Sequence, residues 1–133
     1  MPPLENTLKA HGLSLTKTRR LIFDILSDHE PLTMADLVAL CPAHDRSSVY
    51  RTVALFEKLS IVQRLQIGWK YKLELSNAYQ HHHHHLTCRV CGRSYALDED
   101  DELEKRLLAL ARAQNFRAED HQLEITGICK ACI

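Results

Sequence analysis

The sequence predicts an α+β fold: an N-terminal winged helix-turn-helix followed by a small C-terminal α/β domain with a four-cysteine zinc site. Three observations predict it. Apolar residues recur at helical spacing in short segments up to residue 60, punctuated by Gly12, Pro31 and Pro42. Alternation replaces that spacing on both sides of Gly68. Cys88-x-x-Cys91 and Cys129-x-x-Cys132 pair cysteines on two tight turns. The chain has 133 residues, enough for one domain or two very small ones. A split chain of this size needs metal or dimerisation to stay folded.

Taken in order, Pro2 and Pro3 suit a helix start, and Leu4 and Leu8 give it an apolar face before Gly12 stops it. Thr16 caps a second helix carrying Leu21, Ile22, Ile25 and Leu26. Thr33 and Asp36 form a capping box for a third helix with Leu37, Val38 and Leu40, ended by Pro42. Cys41, beside that proline, reads as a small buried apolar residue. A fourth helix opens at Asp45 and presents Val49, Val53, Leu55, Phe56 and Leu59 on one side, with Ser47, Tyr50, Arg51 and Thr52 assigned to the other. Ile61–Leu65 and Lys70–Leu75 then form a hairpin. Ser76–Gln80 is a polar connector. His81–Cys88 reads as a strand, Arg93–Leu97 as its partner across the first cysteine knuckle, and Gln122–Ile128 as a last strand. Between them the acidic run Asp98–Glu102 starts a helix with Leu103, Leu107, Leu110 and Ala111, the end where negative charge suits the helix dipole.

Composition excludes several classes. With 45% hydrophobic and 26% charged residues the chain is of ordinary soluble make-up. No apolar run approaches the roughly 20 residues of a membrane span and the N-terminus lacks an apolar signal core, so a cytoplasmic protein without a membrane partner is expected. Net charge is zero, with residues 1–80 holding ten Lys/Arg against eight Asp/Glu and residues 81–133 seven against nine. Any nucleic-acid contact must therefore be local rather than a matter of bulk charge. No His-Glu-x-x-His helix, glycine-rich phosphate loop or Gly-x-Ser-x-Gly elbow occurs, so neither an enzyme nor a small organic substrate is expected.

Nine histidines and five cysteines are the anomaly. Cys88, Cys91, Cys129 and Cys132 offer the four thiolates that tetrahedral zinc takes. A closed sulfur shell leaves no open position, so this site is expected to be structural. The 37 residues between the pairs leave room for a helix and a strand. The run His81–His85 sorts into two faces, because side chains alternate along a strand: His82 and His84 on one, His81, His83 and His85 on the other. The first pair needs partners from elsewhere, and Glu104 on the acidic helix and His121 before the last strand are the candidates. Three imidazoles and a carboxylate suit Zn(II), Fe(II), Mn(II), Co(II) or Ni(II). An exchangeable nitrogen/oxygen site beside a permanent sulfur site is what a metal sensor needs.

The stretches Gly12–Arg19, Ser48-Val-Tyr-Arg-Thr52, His81–Gly92 and His121–Cys132 together resemble the ferric-uptake-regulator superfamily. The resemblance implies a dimeric, metal-dependent transcription regulator, with a winged-helix domain over 1–76, a hinge and the start of the histidine cluster over 77–84, and a dimerisation and metal-binding domain over 85–133. By position it makes Cys88, Cys91, Cys129 and Cys132 the structural zinc ligands, and His82, His84, Glu104 and His121 the regulatory site. His83 and His85 fall on a hinge site; Pro31 stands where the family has its N-terminal-domain histidine, with His29 and Glu30 as near substitutes, and Ser76 or Asn77 stands where the family adds an acid or cysteine. Ala96 stands where the peroxide-sensing branch carries an aspartate, which argues against histidine oxidation as the function.

For DNA, Tyr50 and Arg51 are the expected base-edge contacts, Ser47, Ser48 and Thr52 phosphate donors, and Lys9, Lys17, Arg19 and Arg20 backbone neutralisers, joined by Arg64, Lys70 and Lys72 from the wing. A homodimer would set two recognition helices on a palindromic double-stranded site, A·T-rich in the family. The expected function is thus metal-responsive repression of metal-homeostasis genes, with structural Zn2+ and a second divalent ion (Zn2+, Fe2+ or Mn2+) as effector. The competing reading is a zinc-stabilised protein-interaction module without DNA binding.

Overall fold

The computed structural model describes residues 2–67, 69–80 and 83–133; Met1, Gly68, His81 and His82 lie outside the described residues. The chain divides into two compact units, residues 1–81 and 82–133. The division falls within the stretch 77–84 assigned to the hinge.

The first unit runs α1 (Leu4–Ala10), α2 (Lys17–Asp28), α3 (Met34–Ala39), α4 (Arg46–Lys58), β1 (Val62–Ile67) and β2 (Lys70–Leu75). Local chemistry sets the boundaries. Gly12 adopts φ +71°, a conformation that a side chain resists, just past the end of α1. Thr16 accepts the Arg19 N–H at the start of α2. Thr33 and Asp36 form the expected capping box of α3, each side chain taking the other's backbone N–H. Ser60, at φ 58°, turns the chain from α4 into β1.

The apolar stripes of these helices meet in one core. Leu8, Ile22, Leu37, Val49, Phe56, Ile61 and Leu73 are fully buried in it. Burying each such side chain contributes about 1.5–3 kcal/mol before entropy is counted. Cys41 is also buried there, and burial pushes its thiol up, in keeping with an inert core residue. The hairpin is antiparallel, from Val62 opposite Leu75 to Ile67 opposite Lys70. Leu32 pairs with Leu73 through two backbone hydrogen bonds of 3.0 and 2.6 Å, so the segment before α3 docks on the outer edge of β2. Three helices, a fourth helix and a hairpin with that extra bridge make a winged helix.

The second unit contains β3 (His84–Cys88), β4 (Ser94–Leu97), α5 (Asp101–Ala113) and β5 (Glu124–Gly127). Strand order is β4-β3-β5. β3 and β4 are antiparallel, joined by the knuckle in which Gly92 takes φ +76°. β3 and β5 are parallel, with His85 opposite Glu124 and Cys88 opposite Gly127. A parallel pair requires a long crossover, and α5 lies within it. Asp100 caps α5 by accepting from the N–H groups of Glu102 and Leu103. Of the strand expected over 81–88, β3 covers His84–Cys88 and His83 precedes it; His81 and His82 lie outside the described residues. No helix among the described residues is long and apolar enough to cross a membrane.

The two units differ in how they are built. Among the described residues, Cys88 is the sole buried hydrophobic side chain of the second unit; its other buried residues are His84, His85, Thr87 and Ser94. No residue of α5 is buried.

Candidate metal centres and nucleic-acid surface

Cys88 closes β3, Cys91 lies on the knuckle, and Cys129 and Cys132 sit on the turn after β5. The parallel pairing of β3 with β5 brings the two Cys-x-x-Cys turns to one end of the sheet. The four sulfurs lie within 4.8 Å of one another, and none is in a disulfide. Cys91 Sγ and Cys129 Sγ are 3.8 Å apart. A tetrahedron with Zn–S of about 2.3 Å has sulfur–sulfur edges of about 3.8 Å, so the cluster fits zinc in size as well as in donor type. The N–H groups of Cys91 and Cys129, 3.5 and 3.4 Å from Cys88 Sγ, hold the Cys88 thiol down to about 6. The Tyr95 hydroxyl lowers Cys129, and Cys132, hydrogen-bonded to Cys129, is pushed up to about 12. Positive charge at the centre would let all four ionise.

A second cluster in the same unit draws on β3, α5 and the segment before β5. His84, 1% exposed on β3, points its Nε2 at Glu104 Oε1, 2.6 Å away on α5. His121, ahead of β5, places Nε2 2.7 Å from Glu104 Oε2. The two rings are 5.3 Å apart. One carboxylate is thus gripped by two imidazoles from separate elements, and the three ligand atoms lie within 4.8 Å of each other. Two nitrogens and a carboxylate suit a divalent transition metal. Three of the four residues assigned to the regulatory site converge; the fourth, His82, lies outside the described residues.

His85, next to His84 on β3, points to the other face of the strand, and His83 precedes the strand. The rings of His83 and His85 are 4.6 Å apart, edge to face. His85 Nδ1 is 3.2 Å from Glu124 Oε1 on β5. Glu124 was missed by sequence reasoning, because the alternation of residues 122–128 shows a strand but neither its partner nor its direction. His29 belongs to the first unit, is exposed, and donates from Nδ1 to Ile25 O at 2.7 Å at the end of α2.

On α4, Ser47 and Arg51 are exposed, Tyr50 is 40% exposed, and Ser48 is half-buried. Arg51 Nη2 donates to Ser48 Oγ at 3.2 Å. Arg46, not singled out from the sequence, lies with its guanidinium 5.3 Å from the Tyr50 ring and donates to the Tyr50 hydroxyl at 3.2 Å. The i, i+4 spacing of Arg46 and Tyr50 carries that signal, hidden by reading the segment only as a helix cap. Thr52 is a correction: it is 8% exposed and its hydroxyl donates to Ser48 O at 2.9 Å, so it faces the core rather than a phosphate. Lys9 pairs with Glu5 at 3.3 Å, Arg19 donates to Ser14 O, and Arg20 pairs with Asp24 at 3.7 Å. Such exposed pairs are worth about 0–1 kcal/mol and are readily exchanged for a phosphate. Lys17 is exposed at the start of α2. In the hairpin, Lys70 lies 4.9 Å over the Trp69 ring, and Arg64 bonds Glu57 at 2.8 Å beneath its contact with Tyr71.

Comparison with known proteins identifies the family. The profile of the Ferric uptake regulator family matches residues 10–126. The ferric uptake regulation protein of Bacillus subtilis is 31% identical over 97% of this chain and 91% of its own length. Among solved structures, the ferric uptake regulator of Vibrio cholerae superimposes with a TM-score of 0.78 at 28% identity, covering 96% of this chain and all of that one. A zinc-bound manganese uptake regulator gives 0.70 at 30% identity, over 96% and 99% of the two chains.

Proposed function

The chain belongs to the ferric uptake regulator family of metal-dependent, DNA-binding transcription regulators, and on that premise we propose that it acts as a homodimeric repressor of metal-homeostasis genes. Its expected operator is a palindromic, A·T-rich duplex. The observation that carries the reading is the Glu104 carboxylate held between His84 and His121, beside a four-cysteine cluster of zinc dimensions.

In this reading Cys88, Cys91, Cys129 and Cys132 hold zinc permanently and fasten the end of the chain to β3. His84, Glu104 and His121, with His82, hold the exchangeable effector; His83 and His85, whose rings meet edge to face, are a further pair of imidazoles available to a second ion. A bound dication supplies the positive charge that fixes the carboxylate and both imidazoles without protons between them. The ligands come from β3, α5 and the segment before β5, so a filled site restricts how those elements can rearrange. Regulation requires that the DNA-competent dimer bind the ion more tightly than the alternative state; only that difference shifts the population. On the first unit, Tyr50, Arg51, Ser47 and Ser48 face the duplex, with Arg46 orienting Tyr50. Lys9, Lys17, Arg19 and Lys70 neutralise backbone charge. Zinc, manganese and ferrous iron all match the ligand set, because selection among them rests on geometry and supply.

A gel-shift titration with each metal, with and without a chelator too weak to strip the cysteine site, tests the switch. DNA affinity that rises with one of these ions and falls on chelation is expected. Binding indifferent to removal of the exchangeable ion overturns metal control. Arg51→Glu with full DNA affinity would instead favour the protein-interaction reading.

A further inference from the structure

Ser76–Gln80 reads as a polar connector in the sequence, yet the structure folds it into the first unit. Tyr79 is 8% exposed and belongs to the apolar core of that unit. Its ring meets Phe23 of α2 edge to face, with centroids 5.4 Å apart. Its hydroxyl is hydrogen-bonded to the Thr7 hydroxyl of α1. A phenol suits such a place, because the ring fills an apolar site while the hydroxyl reaches a polar partner. Backbone bonds close the stretch around it. The Ser76 N–H donates to Ile61 O at 2.8 Å, and the Tyr79 N–H to Ser76 O at 2.9 Å. Gln80 Nε2 then turns back to Leu75 O at 2.5 Å.

The stretch fastened in this way ends at Gln80, and β3 begins at His84. Between them the sequence holds three residues, His81, His82 and His83. The proposed function places two of these, His82 and His83, at metal centres. In that reading an ion holds the chain within three residues of a point fixed in the winged helix. Length matters here because slack absorbs a signal. A random-coil link of eight residues, the number from Ser76 to His83, has an end-to-end distance of about 16 Å, and a link of three about 10 Å.

Resting on the metal-controlled DNA binding proposed above, we propose that Tyr79 is a positioning residue for regulation: it fastens the connector to α1 and α2, and the slack it removes is what would otherwise uncouple an ion at the histidine run from the winged helix. Tyr79 ligates no ion and reads no base. Its effect is on the coupling between the two binding events.

The test uses the full-length chain with zinc at the four cysteines and a fluorescein-labelled duplex selected by that chain from a random library. Mn2+, Zn2+ and Fe2+ are each tried on the wild type, and the most effective is kept as the probe ion. Anisotropy gives the gain in duplex affinity on adding the ion. Calorimetry gives the gain in ion affinity on adding the duplex, and linkage makes the two gains equal. Tyr79→Ala should cut both gains by about three- to tenfold. Its ion affinity without DNA, and its non-specific duplex affinity at low salt without the ion, should match the wild type. Tyr79→Phe and Thr7→Val each remove one hydroxyl and should cut the gains by less. Combined, they should cut them no further than either alone, because they share one hydrogen bond. Two glycines inserted between Gln80 and His81 return slack without touching the core and should cut both gains as Tyr79→Ala does. The hydroxyl variants and the insertion decide the matter if Tyr79→Ala does not fold. Full gains in the insertion variant, or in folded Tyr79→Ala, overturn the anchor and leave metal-controlled DNA binding standing. Equal loss of duplex affinity with and without the ion would make Tyr79 a core residue only, and overturns the anchor in the same way. A wild type that gains nothing from any of the three ions overturns both.

Discussion

In the regulatory site proposed above, one carboxylate joins two imidazoles. Glu104 accepts from two imidazoles through separate oxygens. Glu104→Gln keeps the shape but removes the charge that a dication needs. We expect the exchangeable ion to bind about tenfold or more weakly, while zinc at the four cysteines stays at one per chain; calorimetric titration and metal analysis read the two separately. Unchanged affinity would remove Glu104 from the ligand set. On α4 the residues divide by face. Arg51→Ala should cost about 1–3 kcal/mol of operator binding with the melting temperature unchanged, whereas Phe56→Ala, emptying a fully buried position, should cost about 3–5 kcal/mol of stability. The periodicity already held this distinction, and with it the error at Thr52. That residue lies three after Val49 and four before Phe56, so it shares their stripe and not that of Arg51. A hydroxyl near a DNA-facing stretch suggested a phosphate donor, but position on the helix outweighed residue type.

At the scale of elements, helices were legible because caps and apolar spacing are local signals. The capping box of α3 illustrates this: Thr33 and Asp36 sit where their residue types place them, and both reciprocal bonds form. Thr33→Ala should therefore lower stability by about 1 kcal/mol, read as a shift in the thermal midpoint of the helical signal. A change well below that would mean the docked Leu32 segment, not the cap, fixes the start of α3. Strands were legible in kind but not in pairing. Alternation sorted His83 and His85 from His84, and the structure gives them different neighbours, Glu124 for His85 and Glu104 for His84. It could not announce that β5 runs parallel to β3, since register and direction are tertiary facts. That is why Glu104 and His121 could be nominated while Glu124 could not. Pairing decides the observed extent of β3 as well: β4 and β5 are four residues each, and between them they pair His84 to Cys88.

For the whole molecule, the decisive contrast lies between an apolar first unit and a second unit with almost no apolar interior. Cysteine spacing pointed to a metal there, but the sequence did not show how little else holds the unit together. Its leucines look like core in a helical pattern, yet Leu108 and Leu110 are 41% and 51% exposed on α5, and Ile125 is 49% exposed on β5. Leu86, Tyr95, Ile125 and Ile128 line an open apolar groove of about 430 Å³ next to the cysteine cluster. Two remedies for such a deficit are available to a small domain: a structural metal and a partner surface. Structural zinc contributes roughly 10–16 kcal/mol in small zinc-folded peptides, more than the few buried side chains of this unit can supply. The homodimer proposed above would cover the leucines and Ile125. Zinc and dimerisation should then fail together. Stripping the cysteine site, by strong chelator under mild denaturant or by Cys132→Ser, should convert the dimer to monomer in sedimentation. Amide exchange should rise throughout residues 83–133, while the helices of the first unit, with their own buried core, remain protected. If the zinc-free chain stays dimeric with β3 and β5 still protected, the metal is not what organises the unit, and the exposed leucines would have to do so alone.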